Sequence, residues 1–556
     1  MKKLLILTAS IVALTSGQAY ANNSTVNQTG DENTATVDQT AGVEGMATIN
    51  QNTDESTASI IQRDGPPQSA GFSVASNVAS INQNGDQFQD ATIDQTNVNG
   101  NAPQNEATIN QTGPGDEFID DDDDNPSQQA SILQNGSGNL ATSTQTGSGA
   151  ELSETTQVGD GNLSHVTQGP TSFSFATANV NQDGNNNDSS VGQSGFNLTA
   201  DVDQMGNGNI SDVLQSGQPV TGGVASGNTA TVFQSGDNND SGVNQNGNNN
   251  TANVSQTGTG DTSTVTQSGE DGEATILQSG TGNTSDVLQQ DNAGGAAVVM
   301  QSGADNTSNV EQTAAGSDVL VDQTGNRNTS LVNQGREAGH SFQTNGQEAV
   351  IDQSGHDNMS TAIQSGSRGD LFVDQSGNNN TSSVTQSGFA NSSGDSDTAG
   401  DATRIVGIDQ IGNNNGSTVT QGGQLSMASV AQIGDNNISS IAQERGAGSL
   451  AGRRMTASVT QDGNGNDSSI TQTNTLDANA QLGNSATVSQ GGDFNTSTLF
   501  QDGNGNNASV DQAGNNNISM LSQIGFDNTA TVSQASDGNI STVNQNGTGN
   551  IATVTQ

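Results

Sequence analysis

From Thr529 the chain reads Thr-Ala-Thr-Val-Ser-Gln534, and eleven residues after that glutamine a second copy, Ser-Thr-Val-Asn-Gln, ends at Gln545. A third, Ala-Thr-Val-Thr-Gln, ends at Gln556. The template Asn-x-small-x-Val-x-Gln-x-Gly-x-x returns about 42 times between Gln28 and Gln556, so this is a repeat architecture before it is anything else. A copy this short cannot bury a core of its own, so each must pack on its neighbours.

The pattern inside one copy predicts a strand. In Asn33-Thr-Ala35-Thr-Val37-Asp-Gln39 the residues Asn33, Ala35, Val37 and Gln39 share one parity, and Thr34, Thr36 and Asp38 share the other. The uncharged, compact set is expected to face inward and the polar set to face water. Gln-x-Gly-x-x-Asn supplies the turn, with glycine for positive φ and Asn or Asp for side-chain turn bonds. Composition raises disorder as a rival: 28% of residues are hydrophobic, 3% aromatic, and the net charge is −48. A disordered chain has no reason to hold one spacing from end to end, and the period argues against it.

A slower rhythm sets the geometry. Four residues before each glutamine, from Gln182 onward, Ala178, Ser189, Ala200, Ser211, Ala230 and Ser241 alternate, and the beat runs on to Ser541 and Ala552 with Val or Leu in some alanine places. Two successive strands therefore form one unit of 22 residues, and the expected fold is all-β: a parallel β-solenoid with two strands per turn and about 21 turns, a rod on the order of 100 Å long. Longer gaps follow Gln62, Gln95, Gln111, Gln215, Gln334, Gln386, Gln443 and Gln472, and the beat resumes in phase after the last five. These are expected to be loop insertions, most of them on one edge.

Met1-Lys2-Lys3, the apolar run Leu4 to Leu14 and the exit Ala19-Tyr20-Ala21 have the form of a secretory signal peptide, giving residues 1–21 as a leader and 22–556 as the repeat solenoid. The apolar run is too short to span a bilayer, and no other stretch qualifies. Strong negative charge argues against nucleic acid and anionic membranes as partners, and against membrane insertion. The chain has no cysteine, so stability must come from the repeats themselves.

The unit Gln523-Ile-Gly525-Phe-Asp-Asn528-Thr-Ala530-Thr-Val-Ser-Gln534 is similar to the curlin repeat of the curli functional amyloids of bacterial biofilms, and the resemblance covers nearly all of residues 22–556. It implies a secreted subunit of extracellular, cell-surface fibres that polymerises with itself, passes an outer-membrane export pore and is started by a nucleator. The chain departs from that family in its length, in having its first strand close to the expected cleavage site, and in placing serine four before Gln rather than six.

No site chemistry competes with a structural role. His165, His340 and His356 fall at unrelated phases of the repeat, so neither an enzyme nor a cofactor is expected. Asp120, Asp121, Asp122, Asp123 and Asp124 form the one candidate calcium cluster, with a solvated acidic loop as its plainer explanation. The residues expected to matter are a structural ladder, Gln512, Gln523, Gln534, Gln545 and Gln556 with Asn517, Asn528, Asn539 and Asn550, whose amides would bond along the stack. The repeat running to Gln556 without a polar cap is expected to leave an edge for the next subunit, and outward acids to slow association until acid or divalent cations weaken them. The competing expectation is a monomeric solenoid that binds ice or a ligand, or acts as an adhesin, through a regular outer face.

Overall fold

The computed structural model describes residues 22–40, 45–64, 77–85, 88–97, 104–113, 128–147, 149–169, 175–217, 227–290, 294–335, 346–365, 369–387, 407–422, 426–444, 455–474 and 483–556. Every named element is a β-strand. The chain divides into two compact units, Met1–Asp271 and Gly272–Gln556.

In the first unit, each rung is a leading strand, a turn and a trailing strand, and each strand pairs in parallel with the next but one in sequence. The leading strand Asp188–Ser194 lies on Ile210–Ser216 with Ser189 opposite Ser211, Val191 opposite Val213 and Gln193 opposite Gln215. The trailing strand Ala176–Asn185 lies on Leu198–Asn207 with Ala178 opposite Ala200 and Gln182 opposite Gln204. The Ser/Ala beat thus marks two separate parallel sheets. Nearer the N-terminus, Ala47, Ala79, Ala107 and Ala141 occupy the leading strands, yet pairing still skips one strand. The beat reports the two-strand rung without being required for it.

The second unit repeats the scheme: Thr307–Gln312 pairs with Thr329–Gln334, and Asp318–Asn326 with Glu348–His356. Register survives the insertions. Gln323 stands opposite Gln353, and Gln375 opposite Gln410, each in register although the intervening sequence is longer than one rung. Since a slip of one residue would turn every valine outward, the glutamine register is what an insertion must preserve.

Between the sheets of each unit runs a narrow core. In the first unit Ala200 and Val202 are wholly buried, as are Gln204 and Asn209; in the second the same holds for Ala349, Ile351, Gln353 and Asn358. Small and β-branched residues suit sheets this close together, and large aromatics have no place there. No helix is long and apolar enough to cross a membrane among the described residues.

Candidate assembly ladders and edges

Glutamine at the end of each strand reaches into the core, where its amide must find partners. Gln512 Nε2 donates to Gln534 Oε1 at 2.9 Å, and Gln534 Nε2 to Gln556 Oε1 at 2.9 Å. On the leading strands Gln523 donates to Gln545 at 2.8 Å. Asparagine at the close of each turn makes a second ladder through the backbone. The Asn539 N–H donates to Asn517 Oδ1 at 2.8 Å, and the Asn550 N–H to Asn528 Oδ1 at 3.1 Å. Asn528 Nδ2 also donates to the Gly547 carbonyl at 3.0 Å. These glutamines and asparagines stand in two kinds of stacked amide column.

Sequence reasoning missed a third bond, which joins the sheets. Most glutamines also donate from Nε2 to the carbonyl of the residue that opens the facing strand, commonly sixteen positions earlier: Gln512 to Thr496 at 3.1 Å, Gln523 to Asn507 at 3.0 Å, Gln545 to Thr529 at 2.9 Å. The recurring offset was the available signal. One amide therefore holds its own ladder and clamps the two sheets together.

The turns form ladders too. Gly377 has φ +120°, and a Cβ there would collide with the Gly412 carbonyl of the next rung, so the glycine column admits no side chain. From Asn413 onward the following position alternates between Asn and Asp. The Asn413 N–H donates to Asp435 Oδ1 at 2.8 Å, Asp435 N–H to Asn464, Asn464 N–H to Asp493, Asp493 N–H to Asn515, and Asn515 N–H to Asp537. Interposed asparagines keep these carboxylates two rungs apart, roughly 10 Å at the parallel-strand spacing.

Elsewhere acids do stack on acids. Asp322, Asp352, Asp374 and Asp409 stand opposite one another on successive trailing strands. Desolvation, then the neighbouring charges of Asp352 and Asp409, push the Asp374 carboxyl up to about 6, and burial also raises Asp352 and Asp409. Arg327 at a turn pairs with Asp357 through two 2.7 Å bonds.

His165 Nε2 meets Thr167 Oγ1 at 3.1 Å on an exposed strand face, and His356 is exposed at a turn. His340 and the Asp120 to Asp124 cluster lie outside the described residues. Among the described residues no three His, Cys, Asp or Glu side chains form a group able to hold a metal.

The outermost described rungs are the exception to burial. Val26, Ala35 and Val37 are only half-buried, as are Ala552 and Val554, while their counterparts inside each unit are fully covered. Among the described residues Thr34–Thr40 pairs only with Thr57–Asp64, and Ile551–Thr555 only with Thr529–Gln534. Comparison with protein families matches the Curlin associated repeat at residues 176–206, 226–258, 483–514, 495–525 and 507–535. No curated protein matches the chain.

Proposed function

Since the chain is a curlin-repeat protein, we propose that it is a secreted, non-catalytic structural subunit that stacks end to end into curli-like cross-β fibres of an extracellular biofilm matrix. Adhesion and aggregation of cells are the roles such fibres serve. The leader-like segment Met1 to Ala21 supports export, and the family resemblance adds an outer-membrane pore and a nucleator as partners.

One observation carries the proposal: the two exposed rungs are copies of each other. Ser24-Thr-Val-Asn-Gln28 recurs as Ser541-Thr-Val-Asn-Gln545, followed by Gly30 and Gly547, Asn33 and Asn550, Ala35-Thr-Val37 and Ala552-Thr-Val554, then Gln39 and Gln556. Their turns match in conformation, with φ of +110° and +59° at Gly30 and Glu32 against +124° and +68° at Gly547 and Gly549. The ladders have a direction as well. Gln28 and Gln39 both donate toward higher-numbered rungs, so a Gln545 or Gln556 amide donates onward to the acceptor that Gln28 or Gln39 of a second copy presents. Stacking head to tail continues every ladder, whereas stacking head to head opposes donor to donor.

Because the chain has no cysteine, the proposed contact can be trapped. Thr25→Cys with Thr542→Cys places two thiols at adjacent-strand separation, about 4.8 Å between Cα atoms, within disulfide reach. Fibres of this variant are expected to yield disulfide-linked ladders of oligomers on denaturing gels. Thr25→Cys with Asn544→Cys, two residues out of register, is expected to yield few. Equal cross-linking of both pairs, or none of the first in fibres that do form, refutes the in-register end contact.

A regular ligand-binding face finds no support in the outer columns. In the second unit Leu288, Glu311, Asn333, Ile363 and Thr385 succeed one another in register, which leaves no uniform lattice.

A further inference from the structure

One outer face of the second unit is built unlike the rest. On the trailing strands Ala296–Ala304, Asp318–Asn326, Glu348–His356 and Asp370–Asn378, the alternate residues Val299, Val321, Ile351 and Val373 are fully buried in the core. Their neighbours Val298, Leu320, Val350 and Phe372 therefore point outward, stand opposite one another in register, and are only half-buried. The same column holds Thr275 on the strand before and Gly407 on the strand after, so the apolar stripe has two defined ends. At Gly407 a Cβ would press on the Phe372 backbone, so glycine holds that place in the column.

Acids line the stripe. Two residues along, the strand of Val298 carries Met300 and the strands after it carry the acid column Asp322, Asp352, Asp374 and Asp409, in which Asp409 Oδ1 is buried without a hydrogen-bond partner. On the other side Asp318 stands opposite Glu348. The one arginine described in this region, Arg327, is held at the turn by Asp357. An apolar stripe between rows of carboxylates cannot lie against the same face of a second copy without bringing acid rows together, and the chain's net charge of −48 adds to that repulsion.

We propose that this face docks a basic amphipathic helix of a partner protein, laid along the stacking direction. The geometry favours a helix over an extended strand. Rungs repeat at about 4.8 Å, and a helix presents an apolar residue each turn at about 5.4 Å, a mismatch of only about 2 Å over four rungs. An extended peptide repeats one face every ~6.8 Å and falls out of step at once. Lysines or arginines flanking the apolar stripe of the helix meet the two acid rows, and its apolar side chains cover Leu320, Val350 and Phe372. The site does not depend on end-to-end assembly.

The test uses the soluble full chain and a synthetic peptide of about 14 residues, leucine and lysine in helical period, with a scrambled peptide of equal composition as control. The helical-period peptide is expected to bind, gain helical circular dichroism on binding, and lose at least tenfold in affinity when sodium chloride rises from about 0.05 to 0.5 M. Val350→Thr with Phe372→Thr is expected to weaken it at least tenfold, as is Asp322→Asn with Asp352→Asn. Threonine is what the same column carries at Thr275, so the first variant keeps a residue the repeat tolerates there. Equal binding of the scrambled peptide, or unchanged affinity in the threonine variant, reduces the face to diffuse charge and overturns the proposal. So does self-association of the chain without peptide that the threonine variant abolishes, since the occupant is then a second copy.

Discussion

A buried glutamine in this fold holds three other groups at once. Gln375 donates to the Met359 carbonyl at 3.1 Å and to Gln410 Oε1 at 2.8 Å, and accepts from Gln353 at 2.8 Å. Gln375→Leu matches its volume but strands all three, so unfolding in urea is expected to show a loss of about 3 kcal/mol or more. Ser241 in the serine column behaves in the opposite way. Ser241 is buried and its hydroxyl has no partner, so Ser241→Ala is expected to be neutral or to stabilise by up to about 1 kcal/mol. The stacking of Gln and Asn is legible in the sequence because identical residues at one phase must meet. The bond from Gln375 to Met359 is not, because it depends on how far apart the facing sheets lie. Nor are Arg327 and Phe494, which adopt φ of +55° and +56° where most other turns use Asn, Asp or Gly; stacking on the neighbouring turns overrides their local preference. Asp374 gives the pH test. Its folded pKa of about 6 lies above the ordinary 3.8, so the folded state holds the extra proton between those values. Asp352 and Asp409 face it from the adjacent strands, with Glu348 and Asp370 beyond the Val350 and Phe372 column, and all are acids. Stability from this column is therefore fully present below about pH 4 and is lost as pH rises through 6. Asp374→Asn is expected to flatten that fall and to raise the urea midpoint at pH 7; an unchanged pH profile would show that the carboxylate is well solvated.

At the level of elements, the unit of construction is the rung of two strands and not the repeat of one. Gln234 and Gln256, 22 residues apart, are hydrogen-bonded neighbours at 2.9 Å. Deleting residues 228–249 removes one whole rung and joins Gly227 to Asn250, an asparagine in place of the lost Asn228. Gln204 then meets Gln256 and Gln215 meets Gln267, with alanine still on alanine and serine on serine. The product is expected to fold with native strand content and a slightly smaller dependence on denaturant. Deleting only residues 228–238 sends serine strands onto alanine strands and exchanges the two turn edges for everything downstream, and it is expected to lower the urea midpoint markedly. Equal stability of the two deletions would mean that the rung has no identity beyond its eleven-residue halves. The Ser/Ala beat made this rung legible from Gln182 onward, and the glutamine register confirms it across the insertions. Around Ala47 and Ala79 the beat is silent, since both strands of a rung carry alanine there, and only the pairing itself shows which strands stack.

Over the whole molecule, charge and docking edges are separated. Residues 538–556 contain no ionisable side chain, and the matching rung near the N-terminus carries only Asp31, Glu32 and Asp38. In the proposed head-to-tail contact those acids lie over Thr548, Gly549 and Thr555 of the preceding copy, so no carboxylate stacks on another across the junction. Described acids elsewhere in the chain stand instead on outer faces and turns, as in the column from Asp322 to Asp409. Salt screens over about 10 Å at 0.1 M and should act on whichever contact brings those faces together. Raising sodium chloride from about 0.02 to 0.5 M is therefore expected to change seeded elongation by less than about threefold while lateral bundling, read by light scattering, increases strongly. Divalent cations and acid are expected to follow the same division, since they too neutralise the faces and find no stacked pair of acidic side chains to relieve at the ends. An order-of-magnitude rise in elongation with salt would place acid repulsion at the growing end itself, and the rung from Ile540 to Gln556, which has no charged side chain, would then not be the surface on which the next copy lands.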